Sequence, residues 1–63
     1  MPILEMHLLE GRSPEEKERA CEALTAALVE ALGVRREQVI VLIHDTLATN
    51  YCNGGVMPFK GKT

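Results

Sequence analysis

The stretch Val39-Ile40-Val41-Leu42-Ile43 constrains this chain most. Its five consecutive apolar residues, four of them β-branched, read as a strand that needs cover on both faces. The whole chain is 63 residues, one domain at most, and at that length a single core is marginal without staples, metal or association. Only one segment has the pattern of a covering helix. A helix shields one face of a two-stranded parallel unit, so the second face calls for another chain, and either face of the first strand is open to that role.

The helix is the most strongly signalled element. Ser13-Pro14-Glu15-Glu16 supplies an N-cap, a proline at the first helical position and the glutamate of a capping box. Ala20, Leu24, Ala27, Leu28, Ala31 and Leu32, with Cys21 beside them, follow helical spacing, while Lys17, Arg19, Glu22 and Glu30 are expected to face water. Gly33 follows as the C-terminal cap. Before the helix, Pro2 to Leu9 alternates as a strand does, with Leu4, Met6 and Leu8 on one face and Ile3, Glu5, His7 and Leu9 on the other. Glu10-Gly11-Arg12 makes the turn between them. After His44-Asp45-Thr46 the pattern dissolves, and Asn53-Gly54 signals a tight turn or small hairpin. The segment 57–63 reads as a tail or arm. The expected fold is therefore α+β, a β-α-β unit with parallel strands and a C-terminal hairpin, forming one domain over 1–63.

Composition excludes several classes. A formal charge of -2 and no long basic block argue against a nucleic-acid surface. Two cysteines are too few for a disulfide scaffold, and the sequence shows no charged n-region, long apolar h-region or membrane-length apolar run. The expected setting is the cytoplasm, with no membrane partner.

The second residue bears on chemistry. With Met1 removed, Pro2 carries a free secondary amine, and since an α-amino group titrates at about 7.7–8.0 and desolvation lowers that value, the amine can act as a general base near neutrality. With Met1 retained, the same nitrogen is a tertiary amide without a basic lone pair. Arg12, between strand and helix N-terminus, suits a carboxylate: guanidinium groups bind carboxylates through paired hydrogen bonds, and the first helical amides stand nearby. It is read as lying near the basic terminus.

Pro2 after the initiator methionine, Leu9-Glu10-Gly11-Arg12-Ser13 before the helix, the chain length and Gly54-Gly55 near its end together resemble the 4-oxalocrotonate tautomerase family over Pro2 to about Gly55. The resemblance implies a β-α-β protomer that dimerises and assembles, usually into a hexamer, and a cofactor-independent isomerase acting on a small anionic enol or keto acid. It implies that Pro2 is the general base and then acid, that Arg12 binds a carboxylate, and that Leu9, Ile40 and Tyr51 also border the substrate. Ile40 is a departure. It stands where the family has a second arginine, contributed by a neighbouring subunit, whose charge would stabilise the developing enolate. Tyr51 offers a phenol where the family has a plain aromatic ring, a donor that would replace part of the missing cation. Arg35 or Arg36 of a neighbour is another source of that charge.

Two alternatives accompany this reading. One is a relative that hydrates or dehalogenates an unsaturated acid, with Glu5, Asp45 or Tyr51 activating water. The other is a ligand-binding protein or the partner subunit of a mixed oligomer. His7 and His44 lie on the two strands, where they can come close together, but Cys21 falls on the helix's apolar side and Cys52 sits in a distant turn, short of a defined zinc shell, so no metal site is expected.

Overall fold

The computed structural model describes residues 1–59, so part of the segment 57–63 read as an arm lies outside the described residues. Strand β1 runs over Ile3–Leu9, helix α1 over Pro14–Leu32 and strand β2 over Ile40–Thr46, with short 3₁₀ turns at Arg36–Gln38 and Ala48–Asn50. The strands pair in parallel from Ile3↔Ile40 to Leu9↔Thr46. Backbone bonds extend this ladder at both ends: the Ile40 N–H donates to the Pro2 carbonyl at 3.0 Å and the Glu10 N–H to the Thr46 carbonyl at 2.9 Å. The β-α-β unit expected from the sequence is present.

Helix α1 begins and ends where its caps place it. The Glu16 N–H donates to Ser13 Oγ at 3.1 Å and the Ser13 N–H returns to Glu16 Oε1 at 3.0 Å, which satisfies two end donors reciprocally. Gly33, at φ 71°, closes the helix in the left-handed region with its N–H on the Val29 carbonyl, a conformation that costs a residue with a Cβ. The covered stripe is narrower than the sequence spacing suggests. Ala20, Cys21, Leu24 and Leu28 are half-buried, whereas Ala27, Ala31 and Leu32 face outward.

Lys17 departs from its expected solvent-facing role. Its Nζ reaches Asp45 Oδ2 at 2.7 Å, and this ion pair identifies the face of the sheet that the helix covers. Asp45 alternates with Val41 and Ile43, whose register partners are Leu4 and Met6, respectively. Val41, Ile43, Leu4 and Met6 are half-buried, while Ile3, Glu5, His7, Leu42 and His44 on the opposite face are exposed. Strand β2 also extends through His44, Asp45 and Thr46, three residues past the apolar run, because pairing with β1 continues beyond it.

Beyond β2, the Asn53 N–H donates to the Val56 carbonyl at 2.7 Å and the Val56 N–H to the Asn53 carbonyl at 2.9 Å. The central residues are Gly54 and Gly55, with φ 60° and 81°, as a primed two-residue turn requires. The turn sits one position later than Asn53-Gly54 implies, because the second glycine also takes positive φ.

Ala48 is the one buried hydrophobic residue among those described, at 4% exposure. The radius of gyration is 14.7 Å, against about 10.6 Å for a compact chain of this length. A lone protomer thus forms its secondary structure without enclosing a core.

The Glu16 carboxyl titrates below its ordinary value of 4.5, chiefly because it accepts the Ser13 backbone hydrogen bond; residual burial opposes this, and the Arg12 charge assists. A lowered folded pKa gives stability that is present above the unfolded value and is lost as pH falls through the folded one. In urea unfolding at fixed protein concentration, Ser13→Ala should cost about 1 kcal/mol at pH 7. The gap between wild type and Glu16→Gln should narrow as the pH is lowered past 4.5. A gap independent of pH would contradict the assigned bond.

Candidate active site

The parallel register sends the candidate residues to opposite ends of the sheet. Pro2 enters β1 beside Ile40, to which it is bonded through the backbone. Leu9 ends β1, and Arg12 follows at the head of α1. Seven residue steps of extended chain separate Pro2 from Leu9, about 23 Å at a strand's rise. Arg12 therefore does not lie near its own chain's terminus. The expectation that it did is corrected by the straight run of β1, which carries the two apart.

At the Arg12 end, His7, Leu8, Leu9, Glu10, Gly11, Arg12 and Glu16 border an open groove of about 590 Å³. The Arg12 side chain is 63% exposed and touches Glu16 Oε2 at 3.4 Å. A contact that long and wet holds a guanidinium weakly, leaving it available to an incoming carboxylate. The helix terminus contributes less than expected. Pro14 has no N–H, the Glu16 N–H is committed to Ser13, and the Glu16 carboxylate places negative charge where an anion would approach. Arg12 is the exposed cation that borders this groove.

Glu10 organises the same end in a way sequence spacing concealed. Its Oε2 accepts the Ala48 N–H at 3.0 Å, across 38 positions of sequence. That bond ties the exit of β1 to the 3₁₀ turn preceding Tyr51. Tyr51 is 40% exposed and meets Phe59 edge-on with ring centroids 5.2 Å apart, a favoured aromatic geometry. Tyr51 thus belongs to the Arg12 end of its own chain, and Cys52 beside it is exposed.

At the Pro2 end, Ile40 is half-buried and Met1 is 76% exposed. The 3₁₀ turn Arg36–Gln38 leads directly into Ile40, so Arg35 and Arg36 share this end. Arg36 is held by Glu22 at 2.6 Å, while Arg35 is 74% exposed and only 3.7 Å from Glu37. Of the two, Arg35 is the cation less committed within its chain.

Of the three residues weighed for water activation, Asp45 is paired with Lys17 and Glu5 lies between His7 and His44 on the open sheet face, which leaves Tyr51 at the Arg12 end. The approach of His7 and His44 was legible in their strand positions, but the joining of Glu5 to them was missed, although the alternation Glu5-x-His7 contained its signal. No helix among the described residues is long and apolar enough to cross a membrane.

The sequence profile of the tautomerase enzyme family matches residues 2–60. A 2-hydroxymuconate tautomerase of Comamonas testosteroni is 45% identical over 56 residues, covering 89% of each chain. Among solved structures, 4-oxalocrotonate tautomerase isozymes of Methylibium petroleiphilum superpose with a TM-score of 0.84 at 42% identity, covering 87% of this chain and 86% of that one. A heterohexamer 4-oxalocrotonate tautomerase of Chloroflexus aurantiacus matches with a TM-score of 0.83 at 36% identity over 89% of this chain and 90% of the other.

Proposed function

The chain belongs to the tautomerase enzyme family, and from that premise we propose that it moves a proton on an enol or dienol of a 2-keto acid resembling 2-hydroxymuconate. Once Met1 is removed, the Pro2 nitrogen takes the proton of the enol hydroxyl, electrons shift through the conjugated chain, and the same nitrogen returns the proton to carbon. Arg12 holds a carboxylate of the substrate. A single positioned base with charge stabilisation suffices for such a step, and the chemistry calls for no cofactor.

The separation of Pro2 and Arg12 within one chain carries the architectural half of this reading. A small acid cannot span about 23 Å of strand, so a site using both residues takes Pro2 from one chain and Arg12 from another. The protein is accordingly a homo-oligomer, with a hexamer as the proposed form, and its uncovered sheet face gives association a driving force. Leu9 and Tyr51 come to the site from the Arg12 end. The chain acts as a single domain, and we place it in the cytoplasm.

Ile40 sets the preference among acids. Where the family carries its second arginine, an aliphatic side chain beside Pro2 favours a substrate with one anionic end. The Tyr51 hydroxyl is the donor proposed to face the enolate oxygen. Arg35 of a neighbouring chain is the competing source of charge, and Arg35→Ala raises KM only if that neighbour reaches the site.

A second reading is supported by the heterohexameric relative together with Ile40: the chain serves as one subunit of a mixed oligomer whose partner supplies the arginine. The hydratase reading is weaker, because Asp45 is paired with Lys17 and Glu5 stands beside the two histidines on the open sheet face, leaving Tyr51 as its one candidate at the Arg12 end.

The intact mass of the purified chain should show Met1 absent, and Pro2→Ala should lower kcat/KM for 2-hydroxymuconate ketonisation by about 10²- to 10⁴-fold. Retained methionine or unchanged activity in Pro2→Ala would overturn the proline mechanism. Co-refolding equal amounts of Pro2→Ala and Arg12→Ala chains should restore roughly a quarter of wild-type activity, the share of random two-chain sites that receive both native residues; no restoration would place both residues in one chain. Ile40→Arg should raise kcat/KM for a dicarboxylate relative to a monocarboxylate by about tenfold, equivalent to about 1.4 kcal/mol. An unaltered ratio would remove Ile40 from the specificity argument.

A further inference from the structure

We propose that Glu5, His7 and His44 form a binding site for a divalent transition-metal ion of the zinc and cobalt class, on the sheet face that the helix leaves open. The parallel register makes His7 and His44 direct partners across the two strands, and Glu5 precedes His7 by two positions, on the same face. His7 Nε2 lies 3.6 Å and His44 Nε2 3.5 Å from the same oxygen, Glu5 Oε1. One ligand atom from each residue falls within 4.8 Å of the others.

These separations suit coordination. A tetrahedral ion with ligands at about 2.0–2.1 Å places its ligand atoms roughly 3.3–3.4 Å apart, close to both imidazole-to-carboxylate distances. The remaining adjustment concerns the imidazoles, which stack with centroids 4.6 Å apart and planes inclined by 13°. Rotation of the exposed side chains brings both nitrogens onto one ion. Two neutral imidazoles and one carboxylate form a mixed nitrogen and oxygen set of the kind that selects zinc, cobalt, nickel or copper rather than calcium. Three protein ligands leave at least one coordination position for water or an anionic ligand.

The surroundings give the ion a physical role. Ile3 and Leu42, at 55% and 44% exposure, share this face with the cluster, so association that covers them also removes the Glu5 carboxylate from water. An uncompensated charge there is costly. A bound cation neutralises it and ties β1 to β2 through side chains as well as backbone. The site shares His7 with the groove that Arg12 borders but takes neither Pro2 nor Arg12 as a ligand, and it adds a binding function to the proposed proton transfer.

The test is Co²⁺ titration of EDTA-stripped, assembled protein at pH 7, monitored by visible absorption, with Zn²⁺ as competitor. The expected result is a protein-dependent band saturating at one ion per chain and displaced by Zn²⁺. Affinity should fall at least about tenfold in His7→Gln, His44→Gln and Glu5→Gln and stay unchanged in Cys52→Ser. Sedimentation identifies variants that still assemble. A readout needing no variant comes from proton NMR: His7 and His44 are the two histidines of the chain, and Zn²⁺ should shift both imidazole signals of the wild-type protein together. A spectrum indistinguishable from aqueous Co²⁺, undisturbed imidazole signals, or equal affinity in the His7→Gln/His44→Gln double variant would overturn the proposal.

Discussion

A two-stranded parallel sheet with one crossover helix has one face it cannot cover, and the rest of this structure follows from that deficit. Backbone pairing along β1 and β2, the capped helix and the Lys17 to Asp45 ion pair give the chain a definite shape. They do not give it an interior, since Ala48 is the lone buried hydrophobic residue among those described. The surface measures 4849 Å², whereas a compact monomer of 7.0 kDa would expose about 4,000 Å². The excess is close to what one partner buries in an interface of ordinary size, about 800 Å².

The same topology governs the chemistry. A parallel strand delivers its two ends to two places, so Pro2 and Arg12 cannot meet within the chain that carries both. Association thus serves the fold and the proposed site by one geometric requirement. The Glu10 bond to the Ala48 amide contributes at the receiving end, joining the segments that present Arg12 and Tyr51. At the Pro2 end, Ile40 takes a ladder position, and in the proposed site it also takes the place of a family cation, so that the proposal ties substrate preference to the strand register.

Much of the fold was legible in local patterns. Ser13, Pro14, Glu16 and Gly33 marked both ends of the helix because capping depends on residues a few positions apart. The alternation from Leu4 to Leu8 separated the covered and open faces of β1. Long-range pairing was less legible. Lys17 looked solvent-facing until Asp45 was brought opposite it, Arg12 looked close to Pro2 because the turn is near in sequence, and the bond from Glu10 to Ala48 had no local signature. The candidate site residues were named from the sequence and a family resemblance, but their division between two ends depends on the direction of β1. The cluster of Glu5 with His7 and His44 required the register itself, since a shift of one residue would send one histidine to the helix-covered face.

The central claim is that association completes what one chain leaves unfinished. It is tested most directly by sedimentation and far-UV circular dichroism on the same dilution series. The account predicts that helical signal is lost as the oligomer dissociates, with a midpoint that depends on protein concentration. A dilute monomer that kept its full helical signal and its tautomerase activity would contradict it.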